Sequence, residues 1–342
     1  MYFALTDDQR DFSSAVRDYL HERFDLEAVR GVVEDAAGDG HPAALWSAMG
    51  EQGWLAVLVP EENDGLGLGM VDAQAIAREL GAGVAPGPWR GTVLAAEAVR
   101  LAGSRSQQEE WLPKLGSGEA VGAVALRGSS EDGWRGVEYA RVADVIVAAD
   151  HPGLRLLRPD EVTVESLGSY DATTRIDSVG LADGAGEPLP GGSPEILDEL
   201  IARAAVLIAA DLVGVAREAL TRTVDYDRER KQFGVPVGSF QALKHSMADL
   251  HVGVTMAEHA VLYAAHALDT AASGTALAVA VARAKAGDVA LQAVGAMIQY
   301  HGGIGYTWEH EAHFFFKRAK RLAGTGGNAD EQRKRIAELT IG

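Results

Sequence analysis

The chain has 342 residues, 47% of them hydrophobic, a formal net charge of −18 and no cysteine. That apolar share is enough for a sizeable core, and at about 150 residues per domain the length suggests two or three domains. The charge argues against nucleic acid or an anionic membrane as the main partner, and the missing cysteines exclude disulfides, thiolate metal sites and a cysteine nucleophile.

The sequence opens on MYFALTDDQRDF, which is charged and amphipathic with no apolar h-region. No run reaches the ~18 apolar residues of a spanning helix, so the expectation is a soluble, cytoplasmic protein without membrane or nucleic-acid partners. Residues 6–115 read as helices. Thr6 precedes a pattern in which Phe12, Val16, Tyr19 and Leu20 recur at three- to four-residue spacing, with Asp7 and Asp8 placed to favour a helix N-terminus. HPAALWSAMGEQG sets Leu45, Trp46 and Met49 on one face ahead of Gly53, and two further helical patterns end on glycine. GLGLG at 65–69 follows a loop rather than a strand, so it reads as a structural loop and not a dinucleotide fingerprint.

From Val121 to Leu181 the texture shortens into AVGAVAL, VADVIVAAD, GLRLLRP, EVTVES and RIDSVGL, rich in Val, Ile and Leu and broken by Gly, Pro and Asp. These are strand signals and predict a small β domain of about five or six strands. After the hinge GAGEPLPGGSPE come three long, Ala-rich helical patterns, apolar on most faces, that suit a four-helix bundle with oligomer contacts. The predicted fold is mainly α with a small β domain: an N-terminal helical domain at 1–118, a reduced β domain at 119–190 and a C-terminal bundle at 191–342.

Three stretches then carry a resemblance. LWSAMGEQGWLAVLVPEENDGLGLG, RKQFGVPVGSFQALKHSMADL and QYHGGIGYTWEHEAHFFFKRAK stand in the order of the signatures of the acyl-CoA dehydrogenase family, which the chain resembles along nearly its whole length. The resemblance implies FAD as cofactor, an acyl-CoA as substrate and electron-transfer flavoprotein as electron acceptor. Position by position, it places Arg230, Gln232, Phe233 and Gln241 at the ADP half of a flavin, and Gln299, Gly302 and Gly303 at the same pyrophosphate. The chemistry agrees: a diphosphate suits the planar fork of an arginine, and glycines let backbone N–H groups approach phosphate oxygens.

The departures matter as much. The family's base is a glutamate, at one of two places; here those places hold Ala323, in KRLAGTGG, and Ala204, beside Arg203. Alanine accepts no proton and arginine stays protonated, so no catalytic residue is assigned. Asp330 and Glu331 sit in NADEQRKR, which reads as an N-cap and first helical turn. Where the family carries a Ser/Thr-rich segment and a tryptophan strand against the isoalloxazine, this chain has AVALRGSSEDGWRGVEY, and Ser129, Ser130 and Trp134 read as a polar turn, with remnants of that segment as the alternative.

Kept ADP-side residues with a missing base resemble the incomplete subunit of heteromeric actinobacterial acyl-CoA dehydrogenases of lipid or steroid catabolism, α2β2 heterotetramers in which a homologous subunit completes the site. Two other readings stay open at this level. One is a self-sufficient enzyme, assembled with itself as a homo-oligomer, whose base is displaced to Glu309, Glu311 or Asp330; the other is a non-enzymatic binding or scaffold relative. His301, His310 and His313 lie near Glu309 and Glu311 but lack the spacing of an open metal site, so no metal is expected.

Overall fold

The computed structural model describes residues 4–182 and 185–341. The chain forms two compact units. One takes the N-terminal segment through Ala28, Gln74–Ala85 and everything from Ala205; the other takes Val29–Ala73 and Pro86–Ala204.

Helices α1 (Asp7–Arg23), α2 (Leu26–Glu34), α3 (Ala43–Glu51), α4 (Met70–Ala82), α5 (Trp89–Ala102) and α6 (Arg105–Ser117) occupy the region read as helical. Thr6 starts α1 through a capping box: its hydroxyl accepts from the Gln9 N–H at 3.2 Å, and the Gln9 side chain accepts from the Thr6 N–H at 3.1 Å. Leu45, Trp46 and Met49 of α3 are buried, as their spacing predicts. GLGLG is a loop laid against residues 56–60, and a Cβ on Gly65 would stand 2.0 Å from the Val59 carbonyl oxygen, so only glycine fits there.

The strands that follow are β1 (Gly122–Ala125), β2 (Gly128–Ser129), β3 (Gly133–Glu138), β4 (Val145–Asp150), β5 (Gly153–Leu157), β6 (Val162–Leu167), β7 (Ile176–Leu181) and β8 (Glu187–Pro188). They form two four-stranded sheets, ordered β1-β4-β5-β8 and β2-β3-β7-β6. Among the described residues eight strands replace the five or six expected, because β2 and β8 are two residues long and β3 is built on the glycine-bearing GWRGVE. The period-two rule explains how β4 serves two cores. Val145, Val147 and Ala149 join Val99, Trp111, Leu112 and Leu115 from the helices, while Ile146 and Ala148 join Trp134, Val137 and Val179 between the sheets. Each fully buried side chain of Val or Leu size stabilises by roughly 1.5–3 kcal/mol.

The polar-turn reading of Ser129, Ser130 and Trp134 is therefore corrected. Residues 130–132 do form the turn, but Trp134 lies on β3, fully buried, with its indole N–H donating to the Ala149 carbonyl at 2.9 Å. Two flanking glycines hid the strand, since glycine weakens strand propensity while leaving room for a large neighbour.

The remaining elements are α7 (Pro194–Glu229), the hairpin β9 (Lys231–Gln232) and β10 (Val235–Pro236), α8 (Gln241–Asp269), α9 (Thr275–His301), α10 (Ala312–Gly324) and α11 (Ala329–Ile341). Helix α9 packs on α8, α10 and α11, burying Ala282, Ala286, Ala290 and Ala293. Two charge clusters fix the unit. Glu79, buried, accepts from Ser13 at 3.0 Å, Arg17 at 3.0 Å and Arg217 at 2.9 Å, with Arg78 beside it at 3.1 Å. Burial alone would raise its pKa; the hydrogen bond from Arg17 and the charges of Arg217 and Arg78 override this and hold it at about 2. Arg318 grips Asp211 at 2.7 and 2.9 Å and donates to the Ala85 carbonyl at 2.9 Å, all buried. Removing one partner of such a pair costs about 3–5 kcal/mol. Among the described residues no helix is long and apolar enough to cross a membrane.

Candidate functional site

Where α7 ends, the chain turns sharply. The Arg230 N–H still bonds the Tyr226 carbonyl at 2.8 Å, and β9 and β10 then pair Gln232 with Val235 across a two-residue loop, Phe233-Gly234. Both loop residues have positive φ, +52° and +81°, the requirement of a tight type I′ hairpin turn. A phenylalanine in that region is strained, and its ring stands 92% exposed at the tip. At the far end of α9, Gly302 takes φ +65° and ψ −140°, a conformation open in practice only to glycine, and ends the helix.

These ends enclose a groove of about 430 Å³, within the roughly 300–1,000 Å³ usual for small-molecule sites. Arg230, Gln232, Phe233, Gln299, Gly302 and Gly303 all line it. Gln241 is exposed as the first residue of α8, next to Phe240, which also lines the groove. Sequence reasoning gave no groove role to Tyr226 and His301, which line it too. The signals were present: Tyr226 is one helical turn before Arg230, and His301 is directly before Gly302.

The groove suits an anion. The Arg230 guanidinium has no hydrogen-bond or ion-pair partner among the described residues, and no carboxylate lines the walls, although the chain carries a net charge of −18. A Cβ placed on Gly302 or Gly303 would meet nothing within 4 Å, so both backbones border open space. A diphosphate fits this donor set: one free cation, amide side chains and bare backbone. Next to these residues Asp227 is an anomaly. Its side chain is buried, both carboxylate oxygens lack a partner, and burial raises its pKa to about 6.

The two positions that the resemblance assigns to the base hold alanines, and their charged neighbours are already paired. Ala323 sits in the last turn of α10, where the Arg283 guanidinium donates to the Leu322 and Thr325 carbonyls at 2.6 Å. Ala204 lies on α7 beside Arg203, which pairs with Glu199 at 2.5 Å and the buried Glu97 at 3.1 Å. Two of the three displaced candidates are engaged elsewhere. Glu311 accepts from Arg222 at 2.9 Å, and Asp330 from Arg333 at 2.7 Å in a first turn capped by Asn328. Glu309 is exposed. The His301 and His310 rings lie 4.5 Å apart, yet among the described residues no three His, Asp or Glu converge as metal ligands would.

Residues 6–119 match the acyl-CoA dehydrogenase N-terminal domain and residues 190–340 the acyl-CoA dehydrogenase C-terminal domain. Acyl-CoA dehydrogenase IpdE2 of Mycolicibacterium smegmatis is 36% identical over 91% of each chain. The chain belongs to the acyl-CoA dehydrogenase family, whose members are FAD-dependent oxidoreductases. Two solved structures are similar at 26% identity. The ChsE4-ChsE5 complex from Mycobacterium tuberculosis has a TM-score of 0.90, covering 100% of this chain and 99% of that one. A glycine-to-alanine variant of the steroid acyl-CoA dehydrogenase Tcur3481-Tcur3483 has a TM-score of 0.89, covering 98% of each.

Proposed function

We propose that this chain is an acyl-CoA dehydrogenase subunit that lends the ADP-side FAD contacts Arg230, Gln232, Phe233, Gln241, Gln299, Gly302 and Gly303 to a homologous catalytic partner and contributes no base of its own. The observation that carries the reading is the contrast between an uncommitted cationic groove and two base positions held by Ala204 and Ala323. In the β2–β3 hairpin, the Ser130 hydroxyl donates to Asp150 at 2.7 Å, Ser129 bonds Asp132 at 3.3 Å, and the Trp134 indole faces the core. None of the three is presented as a platform for a flavin ring.

When bound, the flavin supplies the hydride acceptor. What this chain does is narrower: Arg230 and the glycine backbones fix the diphosphate, and the amides of Gln232 and Gln299 orient the nucleotide around it. The base and the ring-side contacts come from the partner, in an α2β2 assembly reoxidised by electron-transfer flavoprotein. The two solved relatives named as two-component assemblies, one of them a steroid enzyme, support this arrangement and favour a bulky steroid- or lipid-derived acyl-CoA. A helical domain at 1–118, a β domain at 119–190 and a bundle at 191–342, in the cytoplasm, belong to the same proposal.

The test is to purify the chain alone and with the product of its neighbouring gene. Flavin absorbance and acyl-CoA dehydrogenation with an artificial electron acceptor are then measured on both. The reading expects turnover only from the pair; robust turnover by the lone chain overturns it.

A further inference from the structure

We propose that His301 is a proton-dependent contact to the nucleotide's diphosphate, an inference that rests on the flavin reading above and adds to it a residue and a pH response. His301 closes α9 immediately before Gly302 and shares the groove wall with Arg230 and Gly303. Its ring is held in place: Nδ1 is 2.7 Å from the Met297 carbonyl oxygen, the Tyr226 ring stacks on it at 4.3 Å, and the His310 ring lies 4.5 Å away. The Tyr226 hydroxyl also donates to the His301 carbonyl at 3.3 Å, which ties the residue to α7.

A carbonyl oxygen only accepts, so Nδ1 must carry the proton in that bond. The neutral ring then has Nε2 as its remaining site, and any second proton goes there. The charged and titratable groups around the ring can be named. Helix α7 brings Tyr226, Arg222 and Arg230; the segment after α9 brings His310 and Glu311, the latter paired with Arg222. On the first turn of α8, Lys244 and His245 are exposed. Burial is the main influence and lowers the pKa below 6.5; the Met297 carbonyl opposes it, and His310 and Arg222 add to the lowering while Glu311 counters. The ring is therefore neutral at neutral pH without a ligand.

A diphosphate reverses the balance. Its negative charge favours the imidazolium, so the pKa rises on binding, and between the free and bound values each binding event takes up part of a proton. By linkage, affinity climbs as pH falls. FAD is the suitable probe because its bridging diphosphate has no proton to gain between about pH 5 and 8, which leaves the protein as the source of any uptake.

FAD is titrated calorimetrically into the chain, alone and assembled with its partner subunit, in two buffers of different ionisation enthalpy at pH 6.5. The expected result is net proton uptake of less than one per FAD and affinity about tenfold higher at pH 5.5 than at pH 8. His301→Gln, with His301→Asn as a second variant should the stack on Tyr226 be disturbed, removes both effects. Asp227→Asn, at the other buried group titrating in this range, keeps them. Wild-type binding without proton uptake, or uptake that survives both His301 variants, overturns the inference alone. Failure to bind FAD at every pH in both preparations overturns the flavin reading, and this inference with it.

Discussion

Two regions of the molecule hold the residue types that the family associates with a flavin, and they treat them in opposite ways. In the corner after α7, Arg230 has no partner among the described residues, Phe233 stands 92% exposed, and two glycines border open space. In the β2–β3 hairpin, both serine hydroxyls and the tryptophan N–H already have bonds inside the sheet region. A polar group that is satisfied internally contributes to folding; one left exposed in a concave, acid-free groove is available to a ligand. Residue identity alone does not separate the cases, because Arg217 and Arg318 are as cationic as Arg230 yet neutralise Glu79 and Asp211.

The largest effect comes from attacking the structural region. Trp134→Ala removes a fully buried indole and should cost about 4 kcal/mol, read as a lowered denaturant midpoint, with FAD bound per folded assembly unchanged. If FAD affinity falls in step, the hairpin is a flavin contact and the contrast fails. At the other region, Arg230→Gln should leave the midpoint within about 0.5 kcal/mol and weaken FAD binding roughly 10- to 100-fold, measured by fluorescence quenching.

Asp227 sharpens the comparison from the groove side. Its folded pKa, about 6, lies above the ordinary 3.8, so the group's stabilising contribution is complete below about pH 4 and is lost as pH rises through 6. Asp227→Asn should therefore stabilise the protein by about 2 kcal/mol at pH 8 and by almost nothing at pH 4, checked by denaturation at both values.

Much of this was legible beforehand. Thr6 with Asp7 and Asp8 marks the start of α1, Leu45, Trp46 and Met49 share a face, and the long bundle helices announce themselves by composition. The groove residues Arg230 and Gly302 were picked out by their match to the family's motifs, since by position alone they read as a helix C-terminal cation and a helix stop. Strand β3 was not, because GWRGVE carries two glycines and its tryptophan is placed by sheet pairing with Val179, a contact no local pattern encodes. Asp227 and His301 escaped for a related reason: their importance comes from burial and from rings and carbonyls contributed by distant segments.

The smallest effect is also the cleanest discriminator. Ser130 donates to Asp150 at 2.7 Å, Arg155 adds a contact at 2.5 Å, and the serine bond is the main reason the Asp150 carboxyl sits below its ordinary 3.8. Ser130→Ala should cost about 1 kcal/mol at pH 7, the worth of one such hydrogen bond. A depressed carboxyl stabilises above its unfolded pKa and loses that contribution as acid protonates it, so the two proteins' midpoints should converge below about pH 4. Replacing the hydroxymethyl group by a methyl removes a donor and opens little space, so FAD affinity reports whether the hydroxyl meets the nucleotide. Unchanged affinity keeps the hairpin on the structural side; a loss comparable to that of Arg230→Gln would place a flavin contact in this chain's own sheet and give it the ring-side half assigned above to its partner.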